Sequence, residues 1–198
     1  MTRRAILGGV AFVAAAILTW WVLFVAVPRW SRGGAPDQDA DPATASAQAA
    51  AAQRKITATL YYISEDGMSL EPAQQEVPFA EVIAEQARHI VEAQIAAVEA
   101  PRATAVPEGT KLRAVYLTER GDAFVDLSGD VTTNHPGGAL DELFTVYTIV
   151  NALTVNLPAI TRVQILIDGK EADTLAGHVD LRHPLSRNLT WVKSDNPS

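Results

Sequence analysis

The pattern of apolar and polar residues divides the chain into a long uncharged run, a polar segment and a region of regular alternation. From Ala5 to Val27 there are 23 consecutive uncharged residues, and Thr19 has the only polar side chain among them. A helix of this length extends about 34 Å at 1.5 Å per residue, which exceeds the roughly 30 Å of a bilayer core. The pattern therefore predicts a cytoplasmic tail and one transmembrane anchor over residues 1–30.

A cleaved signal peptide fits this run less well than an anchor does. Signal peptides have an apolar stretch of about 7–15 residues and a small-residue cleavage site, whereas Val25 to Pro28 is a poor cleavage sequence. Arg3 and Arg4 suggest a twin-arginine signal, but such signals are usually less hydrophobic and are cleaved. A buried core helix does not need 23 uncharged residues. We therefore expect an uncleaved single-pass anchor in the inner (cytoplasmic) membrane, with the C-terminal domain outside the cytoplasm.

Residues 31–55 have the composition of a linker. They are rich in Gly, Pro, Asp and Ala and contain no aromatic residue and no Leu, Ile or Val. Such a segment buries too little apolar surface to offset the entropy lost on ordering. We expect a flexible linker that spans about 25–30 Å.

Residues 56–192 carry the periodicities of one folded domain, and residues 193–198 are expected to be a disordered tail. Strands are predicted over 57–63, 111–118, 123–128, 162–168 and 170–175, and helices over 79–98 and 138–155. A short segment over 70–77 could pair back on the first strand as a hairpin. The order β-α-β-β-α-β-β predicts an α+β fold, with a mixed, mainly antiparallel sheet and two helices on one face.

The composition excludes several classes of functional site but indicates none. The chain has no cysteine, which excludes a disulfide framework, a thiolate zinc site and a cysteine nucleophile. With 16 Lys and Arg against 23 Asp and Glu, its net charge of −7 argues against nucleic-acid binding. Nothing in the composition indicates an enzyme or a cofactor.

Short blocks of sequence between residues 107 and 185 resemble the GerMN domain family of sporulation and spore-germination proteins. The blocks are Pro107-Glu108-Gly109-Thr110, Phe124-Val125-Asp126-Leu127-Ser128, Gly137-Gly138, Tyr147 to Thr154, Val163 to Lys170, Gly177 to Leu181, and Pro184-Leu185. The resemblance implies an α/β module on the outer side of a membrane, tethered by a helix or a lipid and without known catalysis. Some members of the family resemble ring-building modules of envelope assemblies.

Several residues are candidates for chemistry. His178 and Asp180 have the His-x-Asp spacing of a metal site, but no convincing third ligand accompanies them. A Ser-His-Asp triad of Ser128, His178 and Asp180 lacks the Gly-x-Ser-x-Gly elbow. Gly137-Gly138 before a helix is a weak anion-binding signal. We expect no catalytic residue, no metal ligand and no cofactor.

Structural or partner-contact roles fit the remaining candidates better. Asn151 lies near the buried stripe of the second helix, where its amide would bond neighbouring backbone or contact a partner. The other positions in this class are Gly169, Gly177, His178, Asp180 and Pro184. His135 has no companion in the sequence and is expected to be a surface residue.

The sequence therefore predicts a membrane-anchored, extracytoplasmic binding or scaffolding module of the cell envelope, and the family resemblance implies a role in sporulation or germination. It would be held in the membrane through Ala5 to Val27 and would bind an envelope protein or itself. One alternative is a peptidoglycan- or small-ligand-binding domain with a concave aromatic pocket, and a hydrolase is a less favoured one. The aromatic candidates are Tyr61, Tyr62, Tyr116 and Trp191.

Overall fold

The structure is a computed structural model that describes residues 54–193, and it begins with a long β-hairpin. Strand β1 (Lys55–Ile63) pairs antiparallel with β2 (Leu70–Pro78) over all nine positions. The predicted anchor and cytoplasmic tail, the linker up to residue 53 and residues 194–198 lie outside the described part of the chain.

The second sheet contains five strands. These are β3 (Leu112–Leu117), β4 (Asp122–Leu127), β5 (Arg162–Ile167), β6 (Lys170–Glu171) and β7 (Leu185–Ser186). Strands β4 and β5 are parallel, and the other pairs are antiparallel. The predicted α+β class with a mixed, mainly antiparallel sheet is confirmed.

The described residues also include two long helices and one short one. They are α1 (Ile83–Ile95), α2 (Asp130–Thr133) and α3 (Ala139–Asn156). Helix α1 buries one face, whose positions Gln86, Ala87, Ile90, Val91 and Gln94 recur at three- and four-residue spacing. Helix α3 is the β4–β5 crossover and is buried on most of its circumference, as expected for a helix packed on several sides.

The prediction of a single sheet is wrong, because the strands form two separate sheets. Strand β1 pairs with β2 alone, because residues 70–78 form a full strand whose Leu70 and Val77 are buried. Helix α1 contacts β3 and both hairpin strands, while α3 contacts β1, β5 and β7. Both helices therefore pack against both sheets.

The outer edge of β1 is bonded by side-chain amides from the two long helices. Asn156 bonds the backbone N–H and C=O of Thr59, both at 2.8 Å. Gln94 bonds the same two groups of Tyr61 at 2.9 and 2.8 Å. Because unpaired edge groups would be costly when buried, these amides take the place of a neighbouring strand and attach the hairpin to the helices.

The core is formed by residues from both sheets and both long helices. Its largest fully buried apolar side chains are Leu60, Leu70, Ile90, Leu127, Phe144, Ile149, Leu153, Ile160, Ile165 and Leu181. Within residues 54–193, no helix has the combination of length and apolar character that crossing a bilayer requires.

The β3–β4 turn yields a first stability prediction. Gly121 has φ +83°, and a Cβ added there would lie 2.7 Å from the carbonyl oxygen of Ala159. Gly121→Ala should therefore lower the free energy of unfolding by about 2 kcal/mol in urea titration, from backbone strain and the backbone clash together.

Gly67 provides the matched control, because it has φ +69° and open space around its Cα. Gly67→Ala should cost about 1 kcal/mol from strain alone. An equal loss in both variants would rule out the close approach of Ala159 as a cause.

Candidate functional site

Four of the six positions that the sequence singled out as structural or partner-contact candidates lie in residues 172–193, which we call the C-terminal segment. These four are Gly177, His178, Asp180 and Pro184. This segment runs from the end of β6 through β7 to a point beside the hairpin, where Leu70 bonds the carbonyl of Trp191 and the N–H of Lys193. Two side chains of α3, Glu142 and Asn151, attach it to the body of the domain.

Glu142 is fully buried and binds the first turn of the C-terminal segment. One carboxylate oxygen accepts a hydrogen bond from the backbone N–H of Leu175 at 2.8 Å. The other accepts the N–H of His178 at 2.8 Å and lies 3.1 Å from its ring Nδ1. The carboxylate thus organises the loop around Gly177, whose φ is +99°.

Hydrogen bonding outweighs burial at this carboxyl group. Burial alone raises the pKa of Glu142, but the backbone N–H groups of Leu175, Ala176, His178 and Val179 lower it, and the net result is a pKa below its ordinary value. Glu142 therefore remains ionised inside the protein.

Asn151 attaches the later part of the segment. Its side chain is fully buried, and its amide nitrogen donates to the carbonyl of Asn188 at 2.8 Å. Its amide oxygen accepts the N–H of Asn188 at 3.0 Å. The amide of Asn151 is thus engaged with backbone 37 residues further along the chain.

His178 and Asp180 are engaged by different partners. Asp180 accepts hydrogen bonds from the backbone N–H and the guanidinium of Arg182, at 2.7–3.0 Å. Those bonds hold the pKa of the Asp180 carboxyl well below its usual range. His178 faces Glu142 instead. In residues 54–193, no group of three or more His, Cys, Asp or Glu side chains has the geometry to hold a metal ion.

The side chains of the Ser-His-Asp triad considered for this chain are not hydrogen-bonded to one another. Ser128 donates from its hydroxyl to Asp130 at 2.8 Å and accepts the N–H of Lys111 at 3.0 Å. It belongs to the turn before α2, whereas His178 is bonded to Glu142. The three side chains are thus bonded to three other groups.

Gly169 lies outside the C-terminal segment, in the β5–β6 turn. Its N–H donates to a carboxylate oxygen of the buried Asp126 at 2.7 Å, and both Asp168 and Gly169 have positive φ. Arg113 bridges Asp126 at 3.1 Å and Asp168 at 3.3 Å, which ties β3 to this turn. Pro184, the last of the six positions, is half-buried immediately before β7.

The aromatic candidates for a ligand pocket do not act together. Tyr61 and Tyr62 are 3% exposed and belong to the core. Tyr116 is exposed on β3 of the five-stranded sheet, and Trp191 is exposed beside Leu70 of the hairpin. The concave aromatic pocket that sugar binding would require is therefore not formed by these four residues.

The most consequential residue missed in the sequence is Glu142. From the sequence alone, an acidic residue in the first turn of a helix is explained by the helix dipole, so it does not stand out. One signal was present: Glu142 lies four and seven residues before Val146 and Ile149, on the buried side of the helix. An acidic residue on an apolar stripe indicates a buried, hydrogen-bonded carboxylate.

Comparisons with known proteins found no match among curated proteins. Four chains of solved structures match, among them the following three. The tandem GerMN domains of the sporulation protein GerM from Bacillus subtilis match with a TM-score of 0.50 and 19% identity, over 69% of this chain and 46% of that one. The first GerMN domain of GerM alone matches with a TM-score of 0.49 and 22% identity, over 67% and 98% of the two chains. A candidate lipoprotein from Clostridium perfringens matches with a TM-score of 0.47 and 24% identity, over 67% and 87%.

The family comparison is more specific than these structural similarities. The family model Germane, described as sporulation and spore germination, matches residues 59–173. That range runs from the middle of β1 to just beyond β6 and covers more than half of the chain. The chain belongs to the Germane family, the GerMN-type domains linked to sporulation and spore germination.

Proposed function

We propose that this chain is a membrane-anchored, extracytoplasmic binding or scaffolding module of the cell envelope that acts in sporulation or spore germination. The family description supports the process. The 23 uncharged residues from Ala5 to Val27, followed by a polar linker, support a single-pass anchor. The partner would be an envelope protein or a second copy of the chain.

The observation that carries the proposal is the difference between the two ends of the hairpin. The chain enters the described domain at Arg54 and Lys55, at one end of β1. The other end of the hairpin lies about 27 Å away at 3.3 Å per residue. There, Met68, Leu189 and Trp191 are 65%, 46% and 39% exposed. These apolar side chains thus lie at the end of the hairpin opposite to the point where the chain enters the domain, which supports a partner contact there.

The buried acids support scaffolding over catalysis, because each is bonded within the fold. Glu142 binds the C-terminal segment, and Asp126 binds Gly169 and Arg113. Asp122 forms a two-point ion pair with Arg162 at 2.7 and 3.0 Å. A general acid or base needs a titratable group aimed at a substrate, and these three carboxylates are aimed at the protein itself.

Site-specific photo-cross-linking of the full-length chain in native membranes tests this proposal. A photoreactive residue at position 191 should capture an envelope protein or a second copy of the chain. The same residue at position 74, which is exposed on β2, should capture neither. Equal capture from both positions, or capture from neither, would contradict a binding surface at the end of the hairpin remote from Lys55.

A further inference from the structure

A cavity of about 330 Å³ opens beside Pro107, and we call it the Pro107 pocket. Its apolar lining includes Ile63, Val106, Pro107 and Pro136, and two acidic residues, Glu108 and Asp141, also line it. Ile63 is the last residue of β1, so the pocket lies at the end of that strand remote from Lys55.

The walls of the Pro107 pocket are held in place before any ligand arrives. Thr145, which is fully buried in α3, donates its hydroxyl hydrogen bond to the carbonyl of Ala105 at 2.7 Å. The amide nitrogen of Asn134 donates to the carbonyl of Glu108 at 2.8 Å. A fixed wall favours binding because little conformational entropy remains to be lost.

His135 joins the opposite wall to the same threonine. Its Nδ1 accepts the N–H of Gly137 at 3.0 Å, which places the ring proton on Nε2. That Nε2–H then donates to the hydroxyl oxygen of Thr145 at 3.2 Å. The expectation that His135 is a companionless surface residue is therefore wrong, since it connects the 134–137 wall to α3.

The two carboxylates at the pocket are free to receive a cation. Both Glu108 and Asp141 are exposed, and within residues 54–193 neither side chain forms an ion pair or a hydrogen bond. Apolar walls with two unpaired negative charges complement an alkyl chain that ends in a positive charge.

We propose that the Pro107 pocket binds the side chain of a lysine from a partner protein. The four methylene groups lie against Ile63, Val106 and Pro107, and the ammonium lies between the carboxylates of Glu108 and Asp141. This inference goes beyond the proposed function, because it holds whether or not the chain is anchored in a membrane. It assigns the partner a basic contact surface.

The test is a titration of the full-length chain in detergent micelles with Nα-acetyl-lysine methylamide, followed by backbone amide chemical shifts. Saturable shifts are expected at Ala105, Glu108 and Asn134. The norleucine analogue has a similar alkyl chain and no ammonium, and it should produce no saturable shift at these positions. Equal shifts with both compounds, or no saturation with the lysine compound, would overturn the proposal.

Two double variants separate the pocket from the general negative charge of the protein. Glu108→Gln/Asp141→Asn should weaken binding by about tenfold, the combined size expected for two partly exposed charge pairs. Glu119→Gln/Asp173→Asn removes the same charge from exposed positions outside the pocket lining and should leave binding unchanged. Unchanged binding in the first variant, or an equal loss in both, would also overturn the proposal. An amide spectrum of each variant verifies that it is folded.

Discussion

Replacing Glu142 by glutamine should lower the free energy of unfolding by about 3–4 kcal/mol. The buried carboxylate accepts the N–H groups of Leu175 and His178 on its two oxygens, and an amide presents an acceptor to only one of them. The remaining backbone N–H would face the NH₂ group of the glutamine, which is a donor, and would lose its hydrogen bond. Urea unfolding of the two proteins at neutral pH measures the difference.

Asp141→Asn is the matched control, because Asp141 is the adjacent acidic residue and is exposed. Its loss should be at most about 1 kcal/mol, from the weaker interaction with the helix N-terminus. Similar losses at Asp141 and Glu142 would mean that Glu142 acts through the helix dipole and not through the C-terminal segment.

The pH dependence of the Glu142→Gln effect follows from the lowered pKa of Glu142. A carboxyl group whose pKa is lower in the folded than in the unfolded state contributes stability above its ordinary pKa of about 4.3. That contribution is lost as the pH falls through the folded-state pKa. The stability gap between wild type and Glu142→Gln should therefore be full near pH 7 and should narrow as the pH falls below about 4. A gap that stays constant down to about pH 3 would contradict the assignment.

Gln94→Met should be the second most damaging of these substitutions, with a loss of about 3 kcal/mol. Gln94 is fully buried, and its side chain satisfies both the N–H and the C=O of Tyr61 on the outer edge of β1. Methionine has a similar volume but leaves both backbone groups unpaired, at a cost of about 1–3 kcal/mol each. Thermal or urea unfolding measures the loss.

Gln74→Met on the other strand of the same hairpin is the control. Gln74 is exposed and donates only to the hydroxyl of Thr59, so its replacement should cost less than about 1 kcal/mol. Amide exchange provides a second readout, because the Tyr61 amide should exchange much faster in Gln94→Met. Unchanged exchange at Tyr61 would show that the Gln94 amide does not hold the hairpin edge.

The sequence predicted two buried elements and one turn from local pattern alone. Val163 and Ile165 of β5 are in the core as predicted, although Gln164 between them is buried too. Helix α3 lies within two residues of its predicted bounds. The β5–β6 turn followed from Asp168-Gly169, where both residues have positive φ. Local pattern was sufficient in these places because local geometry and burial agree.

The division into two sheets could not be predicted in the same way. Strand β1 pairs only with residues 70–78 because side chains, and not another strand, bond its other edge. These side chains are Gln94 and Asn156, which lie 33 and 97 residues from the residues they bond. The attachment of the C-terminal segment by Glu142 likewise spans 33 residues. Local sequence patterns do not predict such pairings. A polar residue on an apolar helix face indicates that its side chain is hydrogen-bonded, but not which backbone group it bonds.

The account depends most on the proposal that the folded domain lies outside the cytoplasm while residues 5–27 remain in the membrane. The most direct measurement fuses alkaline phosphatase and, separately, green fluorescent protein to the C-terminus of the full-length chain in living cells. Phosphatase folds into its active form only outside the cytoplasm, and fluorescent protein exported unfolded stays dark. A domain outside the cytoplasm gives active phosphatase and no fluorescence. Bright fluorescence with inactive phosphatase would place the domain in the cytoplasm and rule out the proposed anchoring.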